Sequence, residues 1–407
     1  MKKNFLADLL KFVRQPGLGR TILFWVLSLS LAPLLIASII SYLTASNILQ
    51  KDALQFLNSI SRLKSEYINS FFNERIRDVN HLSQLRTTVS DFNDLITVYE
   101  NSKLPLEKFV GEYTYDVFTM GITLDLENFL QTYRYHDIFL LDLKGNILLS
   151  VQGDKAVGKN IFSQEYARTK FSRACKEALD TGEPRFSDLD LEFGKFGDNL
   201  VSGFLIQVMM KEEDVPNIET GKMERTKKKV GIMAIQIPME QINEIMQTRM
   251  GESETGVTYL VGEDLLMRSG SPDDVLKTLV ETQGSNRWQK NIKGISRYKN
   301  YRKEIVLGVN YNLDSLERLG VHWGLLAEIN ESEAFGSTRT LLLIVGIIVV
   351  FTIIIVTLIS IVATRRIVEP IRRLSGWAQR VAIGDLSYER ITSEKNEIGE
   401  MNTSFKE

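Results

Sequence analysis

A run without a single charge, Thr340 to Thr364, rich in Leu, Ile and Val, limits this chain more than any other feature. As a helix rising about 1.5 Å per residue it would extend roughly 37 Å, enough to cross a hydrocarbon core of about 30 Å. A soluble domain seldom needs so long an uncharged stretch, so residues 340–364 are expected to span a membrane. Arg365 and Arg366 follow at once and mark a cytoplasmic exit. A second uncharged run, Thr21 to Gln50, follows Lys2, Lys3, Lys11, Arg14 and Arg20, which outnumber a single acid, Asp8. It is longer than the apolar region of a signal peptide and no Ala-x-Ala site closes it, so an uncleaved anchor over residues 21–45 is expected. Pro33 within it should only bend the helix. Phe5, Leu6, Leu9, Leu10 and Val13 recur at helical spacing in the cytoplasmic segment 1–20, which suits contact with inner-leaflet lipid. Both basic flanks inside put residues 46–338 on the far side.

Asn330 followed by Glu333 has the spacing of a capping box, so the second span is expected to begin as a helix outside the membrane and to enter it unbroken. Beyond the arginines, Pro370 opens a new helical register in which Ile371, Leu374, Ala378 and Val381 follow at three, four and three. That is the narrow apolar seam of a coiled coil. Gly384-Asp385 stops it, a polar connector runs to about Glu394, and Ile398, Met401 and Phe405 resume the spacing behind Glu397. The proline, the Gly384-Asp385 pair and the Glu397-Ile398-Gly399 triplet, in this order after a span, resemble the HAMP linker. The resemblance covers residues 365–407, implies that two copies pack as a parallel four-helix bundle, and makes Pro370, Gly384, Asp385, Glu397 and Gly399 the signal-linker positions. On it, the chain ends inside the second linker helix, ahead of an output domain.

The outer region opens on a helical pattern, Leu57, Ile60, Val79, Leu82, Val89, Phe92 and Ile96, with no Gly or Pro from Ser46 to Leu104. A single rod of up to roughly 90 Å is expected, ended by Pro105. From His136 the period becomes strand-like: His136–Asp142, a Lys144-Gly145 turn and Asn146–Gln152. A helix over Ser163–Asp180 and strands at Leu200–Met210 and Val230–Ile237 follow. The charged stretch Lys211–Lys229 between those strands mixes Glu212, Glu213, Asp214 and Glu224 with its bases, so it is a solvated hairpin tip rather than a nucleic-acid patch. Pro238 opens a helix to about Arg249. The plan then repeats, with strand Gly256–Val261, turn Gly262-Glu263-Asp264, return strand Leu265–Ser269, helix Ser271–Thr282, and strands near Ile295–Asn300, Glu304–Tyr311 and His322–Ile329.

Two such units between two spans resemble the double Cache sensory region of bacterial receptors, carried by Asp137–Val151 and Gly231–Met246 in the first and by Gly256–Ser269 and Val306–Phe335 in the second. The fold class expected is therefore α+β: a two-span membrane protein with a long stalk helix (46–135 with its connection), two tandem PAS-like Cache antiparallel-sheet units (136–250 distal, 251–338 proximal) and a HAMP coiled-coil linker. The resemblance places a small-molecule site on the distal unit, at about Ser163–Asp190, where Tyr166, Arg168, Lys170, Arg173, Phe186 and Asp188 offer cationic, aromatic and acidic groups. Three cations within six positions suit a carboxylate-bearing ligand. The Arg-x-Trp-Tyr signature of the amino-acid-binding subclass is missing, since the segment reads Arg168-Thr-Lys-Phe-Ser-Arg173. Tyr259 and Arg268 are candidates for a second pocket in the proximal unit, for which a structural coupling role is the preferred alternative.

No catalytic constellation stands out. His81, His136 and His322 are scattered, and no H-E-x-x-H, P-loop, G-x-S-x-G or cysteine pair occurs. Cys175 is the one cysteine and reads as a packed apolar side chain. A net charge of −2 carries no polyanion bias. The expected protein is a non-enzymatic, cofactor-free homodimeric receptor of the bacterial inner membrane with cytoplasmic ends. It signals through the second span and the linker, first of all to chemotaxis. The sensory half of a histidine kinase or nucleotide cyclase, and a membrane-anchored protein-docking module, are the alternatives.

Overall fold

The computed structural model describes residues 18–190, 201–216, 223–237, 239–248 and 253–384. The chain divides into two compact units, Asp52–Ala334 and the segments on either side of it. Helix α1 runs Leu18–Leu82, α2 Arg86–Ser102, α3 Leu106–Phe109, α4 Tyr113–Tyr133, α5 Lys170–Thr181, α6 Met239–Gln247, α7 Gln283–Gln289, α8 Asp314–Arg318, α9 Glu331–Ala334, α10 Gly336–Ala363 and α11 Glu369–Ala382. The strands are β1 Asp137–Asp142, β2 Ile147–Ser150, β3 Arg185–Phe186, β4 Gly203–Pro216, β5 Met223–Ile237, β6 Val257–Gly262, β7 Ser296–Lys299, β8 Ile305–Asn312 and β9 Trp323–Asn330.

Among the described residues the strands form two antiparallel sheets, β2-β1-β5-β4-β3 and β6-β9-β8-β7. The α+β class and the tandem plan therefore hold. All six residues of β1 are buried, because both faces of the first sheet are covered. On one face Phe171, Ala174, Cys175 and Ala178 of α5 pack against Phe139, Phe204, Ile206 and Val208. Burial pushes the Cys175 thiol well above its usual value, in keeping with a packed apolar side chain. On the other face the Phe92 ring of α2 lies over Gly231, where a Cβ would sit 2.6 Å from the ring and 2.5 Å from the Leu141 carbonyl.

Several elements differ from the sequence expectation. The single rod to Leu104 is two helices. Ser83 and Gln84 turn the chain and Leu85 is extended (φ −61°, ψ 119°), which lets Val89, Phe92 and Leu95 bury themselves on the sheet. Burial of one apolar face outweighs continuity of the helix. The helix expected from Ser163 begins at Lys170, after a run of turns, because the Thr169 hydroxyl accepts the Ser172 amide and caps it there. Residues 271–282 are turns rather than a helix. Leu276 has φ +57°, and the Met267 amide and carbonyl bond Thr278 and Leu276. The return strand at Leu265–Ser269 reduces to bridges at Leu266 and Met267. The charged stretch is not merely a tip: β4 and β5 stay paired out to Pro216 and Met223, with Arg225 near Glu212 (3.8 Å) and Asp214 (3.6 Å).

The capping box at Asn330 does not form. Glu333 instead accepts the amides of Glu254 (2.9 Å) and Thr255 (2.7 Å), and Asn330 donates to the Thr255 hydroxyl. A one-residue turn at Phe335 then separates α9 from α10, so the expected unbroken entry is broken there.

The part of α1 within Asp52–Ala334 is tied to the second sheet through Lys64. Its ammonium donates to the Met246 carbonyl (2.8 Å), the Thr248 carbonyl (2.7 Å) and the Thr258 hydroxyl (2.7 Å). Among the described residues two helices are long and apolar enough to cross a membrane, within Phe24–Leu82 and at Thr340–Ile359. The helix α1 continues through Pro33.

Two outcomes follow from this packing. Gly231→Ala should destabilise the Asp52–Ala334 unit by about 2 to 3 kcal/mol, because neither the Leu141 backbone nor the Phe92 ring can retreat; thermal unfolding measures it. Burial holds the Lys64 ammonium down to about 8. The unfolded chain therefore binds more protons between that value and the ordinary 10.5. The stability of the wild type relative to Lys64→Met should accordingly rise as pH is raised through that window and be flat below it, as followed by chemical denaturation.

Candidate functional site

A polar cleft of about 290 Å³ lies where α5 and the segment after β3 meet the Glu263–Arg268 turn and the Gly320–His322 segment ahead of β9. At its floor is Asp188. The short β3 pairs with β4, and the Ser187 amide and hydroxyl continue that pairing to Phe204 at 2.9 Å each, so the next residue is presented at the sheet edge. Asp188 takes φ +56°, a left-handed conformation that Asp tolerates better than most residues. Its carboxylate accepts Arg268 Nε and Nη2 in a two-pronged pair at 2.9 Å each, Lys170 Nζ at 2.8 Å, Trp323 Nε1 at 2.8 Å and the Leu189 amide at 2.7 Å.

Each donor is positioned by its own element. Lys170 is the first residue of the capped helix α5, and its amide donates to Asp190. Arg268 follows the turn after β6. Its amide bonds the Leu260 carbonyl at 2.7 Å, and its guanidinium fills the space that a side chain at Gly262 would need. Nη2 also reaches Asp264 at 2.9 Å and Nη1 the Leu266 carbonyl at 2.8 Å, leaving a side chain only 1% exposed. Trp323 opens β9, and its ring packs edge-on against Phe186 and Phe72. Burial alone would raise the Asp188 carboxyl, but the hydrogen bonds and charge of Arg268, with Lys170 behind them, outweigh it and hold it below its usual value.

Of the six distal residues singled out from the sequence, Lys170, Arg173, Phe186 and Asp188 line this cleft, whereas Tyr166 and Arg168 do not. Tyr166 donates to Glu165 and Arg168 is exposed. The space between α5 and the sheet is apolar core rather than a polar pocket among the described residues. Of the two lysine and arginine side chains that the cleft and the expectation share, Lys170 is already paired with a carboxylate, and Arg173 lies exposed at the rim.

Tyr259 and Arg268 do not share a pocket. Arg268 belongs to the cleft, while Tyr259 is buried in the second sheet's core with its hydroxyl on Glu328 at 2.6 Å, beside the Tyr298 hydroxyl at 2.9 Å. Burial raises the Glu328 carboxyl above its ordinary value. The partners that sequence reasoning missed are Trp323, Glu263, Asp264 and His322. Arg268 offered the available signal, as a charge within the otherwise apolar Leu265-Leu266-Met267 segment that calls for an acid. No cluster that could hold a metal occurs among the described residues.

In the linker, a π-helical turn over Thr364–Val368 runs directly into α11, whose second residue is Pro370. Leu374 is buried, Ile371 is half exposed, and Gly384 takes φ +87° past the helix end. Asp385, Glu397 and Gly399 lie outside the described residues.

The comparisons agree with the linker. The HAMP domain family matches residues 362–407, so the chain carries a HAMP domain. No curated protein matches the sequence. Among solved structures, the ligand-binding domain of the Pseudomonas fluorescens chemoreceptor CtaA in complex with L-isoleucine aligns at 13% identity and a TM-score of 0.45, covering 72% of this chain and 99% of that one. The Campylobacter jejuni chemoreceptor Tlp3 domain with L-valine aligns at 13% and 0.44, over 71% and 97%. The Pseudomonas aeruginosa PAO1 chemoreceptor PctC domain with GABA aligns at 14% and 0.42, over 68% and 99%.

Asp188→Asn should cost about 3 kcal/mol at neutral pH, since it leaves a buried guanidinium short of its counter-charge. The wild-type carboxyl sits below its ordinary 3.8. Its contribution is therefore complete above that pH and is lost as the pH falls through the lower folded value. Denaturation of the two proteins from pH 7 downward should show their stabilities converging only in strong acid.

Proposed function

We propose that this chain is a transmembrane receptor. Residues 46–338 sense a small polar molecule outside the cytoplasm, and the second span hands the resulting displacement to the HAMP domain. The observation that carries the proposal is the order of parts: an apolar helix, a folded unit of two tandem sheets, a second apolar helix with Arg365 and Arg366 after it, and a HAMP match beginning at residue 362. The cleft supports the sensing role, because it gathers groups from both sheets and its floor touches Trp323, the first residue of the strand that ends at α9.

The finer assignment is a homodimer in a bacterial inner membrane with both ends cytoplasmic, and an output of the chemotaxis type. Its support is the joint likeness to double Cache and HAMP sequences. Couplings of this kind are typically worth about 1 to 3 kcal/mol, enough to bias two packings of a helical bundle.

Topology is the direct test. Cys175 is buried, which leaves the chain without a reactive thiol of its own at the surface of the described residues. In intact cells an impermeant maleimide should label Lys299→Cys and should label Ser375→Cys only after lysis. The opposite pattern would remove the receptor proposal. A thermal-shift screen of the whole receptor then separates sensing from protein docking, since a docking module shows no response to small molecules.

A further inference from the structure

We propose that Arg268, Lys170 and Trp323 form a carboxylate seat that Asp188 fills in this structure, and that a small carboxylate ligand entering the cleft takes its place. The inference rests on the receptor function above for its meaning as a signal, and it names the ligand class and the event that ligand causes. Four side-chain donor atoms from three separate elements, α5, the turn after β6 and the start of β9, converge on one carboxylate. The paired prongs of a guanidinium match the two oxygens of a free carboxylate as well as they match those of Asp188.

Exchange is feasible because it is like for like. Removing Asp188 alone would strand a buried cation, but a ligand carboxylate restores the same charge at the same atoms. Asp264 stays on Nη2 throughout and holds the guanidinium in position. The seat can be reached: the Lys170 side chain is 30% exposed and that of Asp188 14%, and both face the cleft. Arg173 at the rim has no ion-pair partner among the described residues and is available to a second polar group of the ligand. Asp188 leaves a left-handed backbone conformation when it is released. Trp323 would exchange its hydrogen bond from Asp188, in the segment after β3, to a mobile ligand, which couples occupancy to the start of β9.

A tethered carboxylate competes at an effective concentration in the millimolar range or above, so the wild type binds a free one correspondingly weakly. The test uses the full chain in lipid nanodiscs with sodium acetate as probe and sodium chloride at matched ionic strength as control. Asp188→Ala should lower the unfolding temperature, acetate should restore it saturably with an affinity about tenfold or more above that for the wild type, and adding Arg268→Lys should abolish the restoration. Asp188→Asn serves in the same way if the alanine variant does not fold. In the wild type, saturating acetate should change tryptophan fluorescence, and the change should vanish in Trp323→Phe. Equal restoration by chloride, no restoration by acetate, or no Trp323-dependent change in the wild type would each overturn the seat and leave Asp188 as a structural tie only. These outcomes are separable from the receptor proposal, because acetate binding does not depend on which way the chain crosses the membrane.

Discussion

A guanidinium cannot shed its proton in a protein, so an arginine that is almost wholly buried must find a counter-charge or leave the interior. Arg268 finds two, Asp188 and Asp264, and the first of them comes from the segment that follows β3 of the other sheet. Within Asp52–Ala334 this pair ties the two sheets together at one point. Placed on the surface, the same pair would contribute less than about 1 kcal/mol. Enclosed beside the rings of Phe72, Phe186 and Trp323, breaking it on one side alone is costly, which gives the junction a definite geometry.

Two other buried ionisable groups are handled differently. Among the described residues Lys64 is bonded to no carboxylate; its ammonium donates to two carbonyls and a hydroxyl, and burial draws its pKa down. Among the described residues no cation is bonded to Glu328; two tyrosine hydroxyls share one of its oxygens, and burial moves its carboxyl up. Of the three, only the Asp188 cluster combines a full ion pair with an opening to solvent. That combination leaves its carboxylate within reach of the cleft.

The legible parts of the sequence were those written in local pattern. The two uncharged runs, the strand alternation from His136 and Gly256, and the proline and glycine of the linker are all short-range signals, and the corresponding elements are present wherever they are described. The errors arose where tertiary contacts decide. Nothing near Ser83 breaks a helix, and the chain turns there because Phe92 must reach Gly231. Asn330 and Glu333 have capping spacing, yet the Thr255 segment offers Glu333 more donors than its own helix start does. Helical spacing over Ser271–Thr282 gives way to pairing with Met267. The cleft was half visible. Lys170, Arg173, Phe186 and Asp188 stood close in sequence, but their counterparts Arg268 and Trp323 lie 80 and 135 residues from Asp188. No pattern in a single chain announces so distant a pairing.

The strand β9 lies inside its sheet, bonded to β6 on one side and to β8 on the other. Alternation of side chains fixes its register on both edges, so it cannot slip by one residue without moving Trp323, Leu325 and Ala327 to the opposite face. Whatever pulls at Trp323 therefore cannot draw the strand through the sheet like a cord. Any motion reaching Asn330 through β9 would be a tilt or shift of the four strands together.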